Sequence, residues 1–331
     1  MTLAELRYLV AVADLRHFGR AAERCHITQP TLSSQLKKLE DNLGLSLVER
    51  TTRFVTLTPA GERIVTHARR ILEEVDQIAD LARHRHGALT SVLRLGIIPT
   101  LSPYILPLIL NQLHQSFPEL RLVLREDLTD NLLAALEDHA LDVLLVALPE
   151  HAAVHRSMAL FEEPFYFVCP TGHKLGNRPV VTENDLVEQR LLLLEEGHCL
   201  REQALAVCGH QFREWETAND DFRATSLETI CEMVAAGLGS TLLPAMALPH
   251  LAADDQRLAV RPINAAKASR VIGLLWRSSF PRGDDLLMLG RFIQEQLPDS
   301  VAPIRQLPKA AIRDPEGDPR KVARAKPRPR A

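Results

Sequence analysis

Cys199 and Cys208 are the residues of this 331-residue chain whose type and spacing could do chemistry. Gly197 and His198 precede a helical pattern of apolar residues, which predicts that Cys199 lies at a helix N-terminus. The helix dipole favours a thiolate there, and a nearby His⁺ or Arg would add to this. A thiolate can attack the O–O bond of a peroxide to become a sulfenic acid, with which a second thiol can form a disulfide. The alternative, favoured by spacing alone, is that both cysteines are buried packing residues.

The spacing of the two cysteines also predicts a geometric obstacle. Nine helical residues place Cys199 and Cys208 about 13 Å apart, whereas a disulfide requires α-carbons within about 7 Å. The bond can form only if the segment between the cysteines unwinds. Oxidation would then lock in a refolded segment that the reduced helix excludes, which is the behaviour of a switch.

The first fifty-eight residues predict short helices followed by a β-wing. The third helix begins after Thr28, a good N-cap, and ends at Gly44. Its polar face combines amides and hydroxyls, which can read base edges, with lysines, which can bind phosphates. A solvated polar face is the alternative, but the order of helix, turn, helix and basic wing disfavours it. We expect contacts to double-stranded DNA from Gln29, Pro30, Thr31, Ser33, Ser34, Lys37, Arg50 and Arg53.

A long helix is predicted from Thr58 and Pro59, a cap and first-turn pair, to about His86. Its apolar residues recur at alternating spacings of four and three, which marks a coiled-coil seam. A lone helix of this kind has no core against which to bury its stripe, so we expect a partner helix and a homodimer. The seam consists of Ile64, Ala68, Ile71, Val75, Ile78 and Ala82.

Beyond the long helix, β-prone and helical segments alternate, which is typical of a doubly wound α/β fold. Ligands bind at the carboxyl ends of such strands, where Thr100 and Thr129 should lie. Predicted strands cover 92–97, 121–126 and 141–148 in one lobe, 165–169 and 191–194 in a second, and 270–276 late in the chain. We therefore predict a winged helix-turn-helix over 1–58, a linker helix over 59–87, a two-lobed regulatory domain over 88–298 and a disordered basic tail over 299–331.

The composition limits which classes of protein and which kinds of metal or cofactor site we expect. Hydrophobic residues make up 46% of the chain, enough for a sizeable core, and the net charge is −3. No apolar run is long enough to span a membrane and no signal peptide begins the sequence, so we expect a cytoplasmic protein. The five cysteines include no C-x-x-C pair, so the sequence predicts neither a disulfide framework nor a metal site, and no cofactor.

The segment F-x-R-A-A-E-R-C-H-I-T-Q-P-T-L-S-S-Q-L-K-K-L-E-D, continuing through T-P-A-G, resembles the DNA-binding segment of LysR-type transcription regulators. That resemblance implies a dimerisation linker and a periplasmic-binding-protein-like effector domain. The segments G-H-C-L-R-x-Q-A, F-R-A-T-S-L-E-T and G-I-I-P-T are similar to those of the family's hydrogen-peroxide sensors. Similarity covers about residues 1–298, and the basic tail departs from the pattern.

The resemblance to peroxide sensors implies roles for particular residues. Cys199 would be the peroxidatic thiol and Cys208 the resolving one. The implied peroxide pocket contains Thr100, Thr129 and His198, with Arg270 stabilising the thiolate. The resemblance also implies the partners of the protein. These are hydrogen peroxide, RNA polymerase, a thiol reductant such as glutaredoxin or thioredoxin, and further copies of this chain in a homodimer or homotetramer.

Three hypotheses remain open at the level of sequence. The first is a peroxide-sensing activator that uses Cys199 and Cys208, and the presence of Cys208 favours it. The second is a LysR-type regulator with inert cysteines that binds a small effector between the lobes. The third is a thiol peroxidase, against which the DNA-binding segment argues, so we do not expect an enzyme. Cys25, Cys169 and Cys231 lie outside the matched motifs and are interpreted as packing residues.

Overall fold

The computed structural model describes residues 1–50, 55–83, 89–148, 155–187, 189–208, 224–252 and 255–304. The chain divides into two compact units. The first unit contains Met1–Pro99, Leu110–Leu144 and Pro281–Asp285. The second unit contains Thr100–Ile109, Leu145–Phe280 and the described residues from Leu286 onward. Among the described helices, none is both long and apolar enough to cross a lipid bilayer.

The head of the first unit is built from α1 (Leu3–Leu15), α2 (Phe18–Arg24) and α3 (Gln29–Leu43). The predicted cap of α3 is confirmed, because the Thr28 hydroxyl accepts the backbone N–H of Thr31 at 3.5 Å. Pro30 occupies the first turn, and Gly44 ends the helix with φ of +64°, a left-handed conformation that suits glycine. The head core contains five fully buried leucines: Leu9, Leu32, Leu36, Leu39 and Leu47.

Behind the head core lie the wing and the linker helix. The wing pairs β1 (Val48–Arg50) antiparallel with β2 (Val55–Leu57), and α4 (Pro59–Arg83) follows. Thr58 caps α4, because its hydroxyl accepts the Gly61 N–H at 2.9 Å while donating to the Ser46 carbonyl at 2.7 Å. A Cβ at Gly61 would lie 2.1 Å from the Leu47 carbonyl oxygen, so the wing and α4 meet as closely as they do only because residue 61 is glycine.

The first unit also holds the beginning of the α/β region. β3 (Val92–Ile97) pairs parallel with β4 (Arg121–Glu126), and the chain passes through α5 (Ser102–Ser116) between them. α6 (Thr129–Glu137) follows β4. β5 (Val143–Ala147) is buried at every position, as the continuous apolar run of the sequence predicts, and it runs from the first unit into the second.

The second unit is organised around one long strand, β6 (His155–Pro170). β7 (Val181–Thr182) pairs parallel with β9 (Leu258–Asn264). The antiparallel neighbours of β6 are β8 (Thr241–Pro244), β9, β10 (Ser269–Arg277) and β11 (Ala302–Pro303). The helices, with the last one beginning in the first unit, are α7 (Glu183–Val187), α8 (Cys199–Val207), α9 (Leu227–Ala235), α10 (Leu248–Leu251) and α11 (Gly283–Glu295).

The α/β class predicted from the sequence is confirmed, and two local differences have physical causes. The predicted strand 165–169 is the end of the sixteen-residue β6, whose charged and proline positions at Glu162, Glu163 and Pro164 interrupt the apolar pattern. The predicted strand 191–194 is reduced to two isolated bridges, Leu191 with Ser240 and Leu194 with Ala224. The prediction of a disordered tail is wrong for its first residues, because Ala302–Pro303 form a strand that pairs with β6. From residue 305 onward the predicted tail lies outside the described residues.

Candidate functional site

α3 presents the predicted DNA-reading face to solvent while its leucines fill the head core. Glu40 joins this helix to the wing, because its Oε1 accepts the backbone N–H groups of Leu47 at 2.8 Å and Val48 at 3.2 Å. The face is therefore carried by an element fixed at both ends. Its exposed residues are Gln29, Pro30, Thr31, Ser34 and Lys37, and Ser33 is half-buried.

The wing is described at its base only. Arg50 pairs through its backbone with Val55 across the two strands. Arg53, the other predicted wing contact, lies outside the described residues. The structure therefore places the backbone of Arg50 in the wing. A DNA contact by Arg53 remains a prediction.

The two parts of the linker helix α4 differ in how far their apolar residues are buried. Ile64 packs against the head core and Ala68 is buried, so the first part of the predicted seam is covered by the same chain and the expectation of a lone helix is wrong there. Further along, Ile71 is 39% exposed and Ile78 is 68% exposed. Val75 is half-buried, and only the backbone of Ala82 is described. Among the described residues, Ile71 and Ile78 leave an exposed apolar stripe in the second part of the helix.

Cys199 occupies the predicted position as the first residue of α8, and its side chain is half-buried. His198 is the N-cap residue, yet within the described part of the chain its side chain makes no capping hydrogen bond. Gly197 turns the chain into the helix with φ of +94°. Backbone N–H groups of a helix's first turn have no intrahelical acceptor. The Cys199 sulfur is thus positioned where these groups favour negative charge.

Cys208 lies at the opposite end of the same helix, as its C-cap residue, and is 1% exposed. Burial, with a smaller contribution from the Glu183 carboxylate, raises the pKa of the Cys208 thiol to about 12. Both cysteines are free thiols. Because α8 is intact between them, the structure does not bring Cys199 and Cys208 together.

The chain around α8 is closed at its base. Leu194 forms a bridge with Ala224, and the Glu195 N–H donates to the Ala224 carbonyl at 3.0 Å. Both cysteines lie between these two points of the chain. The described residues at the two ends of this part of the chain are therefore joined by backbone hydrogen bonds.

Arg270 is the centre of a buried hydrogen-bonded cluster. Its Nη1 donates to the Thr100 hydroxyl at 3.0 Å and its Nη2 to the Thr100 carbonyl at 3.1 Å. Its Nε donates to Glu163 Oε2 at 2.7 Å. The structure thus brings together Thr100 and Arg270, two of the residues that the resemblance assigns to one site. Glu163 was missed, although the alignment of β6 with β10 could have revealed it once the strand pairing was known.

Two buried oxygen atoms lack a hydrogen-bond partner among the described residues. One is the hydroxyl of Thr129, the first residue of α6 in the first unit. The other is the side-chain oxygen of Gln203. Gln203 follows Cys199 by four residues on α8 and so shares its helix face. Sequence reasoning missed Gln203, although the i, i+4 spacing was a usable signal.

His198 is buried, with 8% of its surface exposed, and burial lowers the pKa of its imidazole. Glu195 opposes that effect and is the smaller influence. A neutral imidazole is therefore favoured beside Cys199. The expectation that a cationic histidine would stabilise the thiolate is not supported, and His198 is better suited to donate or accept a hydrogen bond.

The remaining cysteines behave as the packing residues that the sequence predicts. Burial raises the pKa of the thiols of Cys25, Cys169 and Cys231, the last to about 12. The Cys169 thiol contacts the Ala259 carbonyl at 3.8 Å. Within the described residues, no group of three or more His, Cys, Asp or Glu side chains could hold a metal ion.

Family models match most of the chain. Residues 3–62 match the bacterial regulatory helix-turn-helix protein model of the LysR family, and residues 86–298 match the LysR substrate binding domain. The hydrogen peroxide-inducible genes activator of Dickeya chrysanthemi is 42% identical over 307 residues, covering 93% of this chain and 97% of that protein. The DNA-binding transcriptional dual regulator OxyR of Escherichia coli K12 is 43% identical over 281 residues, covering 85% and 91%.

Solved structures give the same result. A full-length OxyR variant of Pseudomonas aeruginosa is 38% identical, with a TM-score of 0.79 over 93% of this chain and 99% of that one. A hydrogen-peroxide-bound cysteine mutant of Corynebacterium glutamicum OxyR is also 38% identical, with a TM-score of 0.61 over 89% and 92%. With its helix-turn-helix head, its α/β regulatory region and this closeness to OxyR, the chain belongs to the LysR family of bacterial transcription regulators.

Proposed function

We propose that this protein is a peroxide-sensing transcription regulator whose switch is a disulfide between Cys199 and Cys208. Its relatives are named hydrogen peroxide-inducible genes activators, and both cysteines are present at the ends of α8. Hydrogen peroxide is the proposed signal, and double-stranded promoter DNA is the proposed target of the head.

The proposed chemistry has two steps, and each releases one water. In the first step, the Cys199 thiolate attacks one oxygen of hydrogen peroxide, the O–O bond breaks, and the leaving hydroxide takes a proton to become water. Cys199 becomes a sulfenic acid. In the second step, the Cys208 sulfur attacks the Cys199 sulfur, the S–O bond breaks, and the second water leaves. The two thiols supply the two electrons that reduce the peroxide.

α8 supports this proposal more than any other element. It holds one thiol half-exposed at its N-terminus and the other buried at its C-terminus. Burial raises the pKa of the Cys208 thiol, and a thiol is a far weaker nucleophile than a thiolate. The second step requires α8 to unwind, because the helix holds the two residues about 13 Å apart whereas a disulfide requires α-carbons within about 7 Å. Oxidation is thereby coupled to a change of fold.

We further propose that Thr100, Thr129 and His198 bind the peroxide and that Arg270 stabilises the thiolate. The unpartnered hydroxyl of Thr129 and the bonds between Arg270 and Thr100 support these roles. Gln203 is added to this set, because its oxygen also lacks a partner among the described residues and could accept the peroxide hydrogen.

The domain limits and the larger partners belong to the proposal as well. The head over 1–58 would read DNA through the α3 face and the wing, including Arg53. The linker over 59–87 would form a homodimer through its exposed stripe at Ile71 and Ile78. Pairing of dimers into a tetramer, contact with RNA polymerase, and reduction of the disulfide by glutaredoxin or thioredoxin complete the proposed cycle.

Peptide mapping after brief exposure to peroxide tests this function. With peroxide near the protein concentration, we expect a Cys199–Cys208 disulfide in the wild type and a trapped sulfenic acid in Cys208→Ser. Cys199→Ser should show neither product and no change in its DNA footprint. Cys231→Ser, which replaces a buried thiol outside the proposed pair, is the matched control and should behave like wild type. An unmodified Cys199, or pairing mainly with Cys169 or Cys231, would favour a small effector as the signal.

A further inference from the structure

Glu163 and Arg270 face each other across two neighbouring strands. They are direct partners in the antiparallel pairing of β6 with β10. Glu163 Oε2 accepts the Nε–H of Arg270 at 2.7 Å, and Glu163 Oε1 accepts the backbone N–H of Met246 at 2.9 Å. Each carboxylate oxygen therefore has its own donor, and the two donors come from different segments of the second unit.

The pair is fully withdrawn from water. The side chains of Arg270 and Glu163 are 1% and 0% exposed. A buried guanidinium without a counter-charge is strongly unfavourable. Glu163 is the carboxylate that forms an ion pair with Arg270, and so it determines where this cation can be held inside the second unit.

In the position fixed by Glu163, Arg270 has two N–H donors that make no hydrogen bond among the described residues. A guanidinium has five N–H groups, and the three bonds to Glu163 and Thr100 use one from each nitrogen. One N–H on each of Nη1 and Nη2 has no partner among the described residues. These two groups sit beside the Thr100 hydroxyl and are suited to a thiolate sulfur or a peroxide oxygen.

We propose that Glu163 is a positioning residue for the reaction of Cys199 with peroxide and that it acts through Arg270. This inference rests on the proposed function of Cys199. Glu163 fixes the guanidinium at Nε, so that its Nη groups remain against Thr100 and keep two N–H donors for the reacting atoms. Fixing a charged donor before the reaction avoids reorganisation as charge develops.

A carboxylate is required at position 163, because both of its oxygens accept hydrogen bonds. A glutamine offers one acceptor oxygen, so its NH₂ group would face either the Arg270 Nε–H or the Met246 N–H. Glu163→Gln therefore removes the counter-charge and leaves one of these two N–H groups without an acceptor, and the guanidinium should leave its position. Glu163→Asp keeps the carboxylate but shortens its reach by one methylene.

The test compares Cys199 reactivity in Glu163→Gln, Glu163→Asp and Glu162→Gln. Glu162 is the matched control, since it is the exposed neighbour on β6 and bonds to Ser269 instead of Arg270. Stopped-flow oxidation by hydrogen peroxide is measured beside alkylation of Cys199 by iodoacetamide across pH. We expect Glu163→Gln to slow oxidation by about ten- to a hundredfold and to move the alkylation midpoint to higher pH. Glu163→Asp should be intermediate, and Glu162→Gln should match wild type.

A double-mutant cycle separates positioning from general stability. If Glu163 acts through Arg270, then Glu163→Gln should cause almost no further loss of rate in an Arg270→Gln background. That double variant contains no unpaired buried charge, so it remains informative even if Glu163→Gln alone folds poorly. Additive losses would overturn the proposal.

The direction of the pH shift decides between two roles of Glu163. If it only neutralised Arg270 in place, Glu163→Gln would speed oxidation and move the alkylation midpoint to lower pH, and the positioning role would be wrong. A lower melting temperature with unchanged rates would also overturn it. Iodoacetamide reads the same coupling without peroxide, so a wild-type Cys199 that resists peroxide would count against the proposed function alone.

Discussion

The helices α3 and α8 differ in how firmly their ends are held. α3 has fifteen residues, a Thr28 side-chain cap and a Gly44 C-cap, and its polar groups point outward along its length. α8 has nine residues, no side-chain cap within the described part of the chain, and its two thiols at opposite ends. Short helices are marginal without tertiary support, and a cap contributes about 1 kcal/mol.

The number of restraints on each helix fits the role proposed for it. DNA reading requires α3 to keep one shape, so its cap, its C-terminal glycine and the Glu40 bonds to the wing all restrain it. Under the proposed switch, α8 must come apart after Cys199 has reacted, so weak ends would be an advantage there. Substitutions in the two helices should therefore have separable effects on DNA binding and on thiol chemistry.

Leu36→Ala should have the largest effect, because Leu36 is fully buried beneath the α3 face. Loss of its side chain should destabilise the head by about 2–5 kcal/mol and abolish specific DNA binding. Oxidation of Cys199, in the second unit, should keep its wild-type rate. Circular dichroism melting, a DNA gel shift and thiol mapping measure the three quantities. The control is Leu45→Ala, since Leu45 is 47% exposed. Slowed oxidation in Leu36→Ala would show that the two helices are not independent.

Ala206→Gly should speed the second redox step without changing the first. Ala206 is exposed inside α8, and glycine there costs about 1 kcal/mol of helix stability. If unwinding of α8 limits disulfide formation, that step should accelerate about fivefold, the rate factor for about 1 kcal/mol. Rapid-quench mapping follows sulfenic acid and disulfide separately. Ala134→Gly makes the same change on the exposed side of α6 and should leave both steps unaltered. Equal disulfide rates in all three proteins would mean that α8 need not unwind.

The local signals of both helices could be predicted from the sequence, whereas their long-range partners could not. Thr28, Pro30 and Gly44 bound α3, and Gly197 marks the start of α8, because caps and turns depend on neighbouring residues. The Glu163–Arg270 pair joins residues 107 apart, and its formation depends on the register of β6 with β10. The packing of Ile64 against the head core could not be predicted either, because its spacing fits a coiled coil equally well.

Lys37→Ala should weaken DNA binding in a salt-dependent way. Lys37 is exposed on α3, and a phosphate contact contributes about one unit to the slope of log affinity against log salt. We expect the slope to become shallower by about one unit with base preference unchanged, whereas Gln29→Ala should alter base preference. Fluorescence anisotropy at several salt concentrations measures this. Lys174→Ala, an exposed lysine of the second unit, should leave the slope unchanged. A wild-type slope in Lys37→Ala would remove Lys37 from the proposed interface.

The smallest effect concerns the pH dependence of stability around α8. Burial lowers the pKa of His198 below 6.5, so the unfolded chain gains this proton at a higher pH than the folded protein does. The contribution of His198 to stability is therefore complete above pH 6.5 and declines as the pH falls towards the lower folded value. Between about pH 7.5 and 5.5, urea unfolding of wild type should show falling stability, and His198→Gln should flatten that slope. His114→Gln replaces an exposed histidine and should keep the wild-type slope. An unchanged slope in His198→Gln would mean that the burial of His198 does not persist in solution. The start of α8 would then be held even more loosely than its missing side-chain cap indicates.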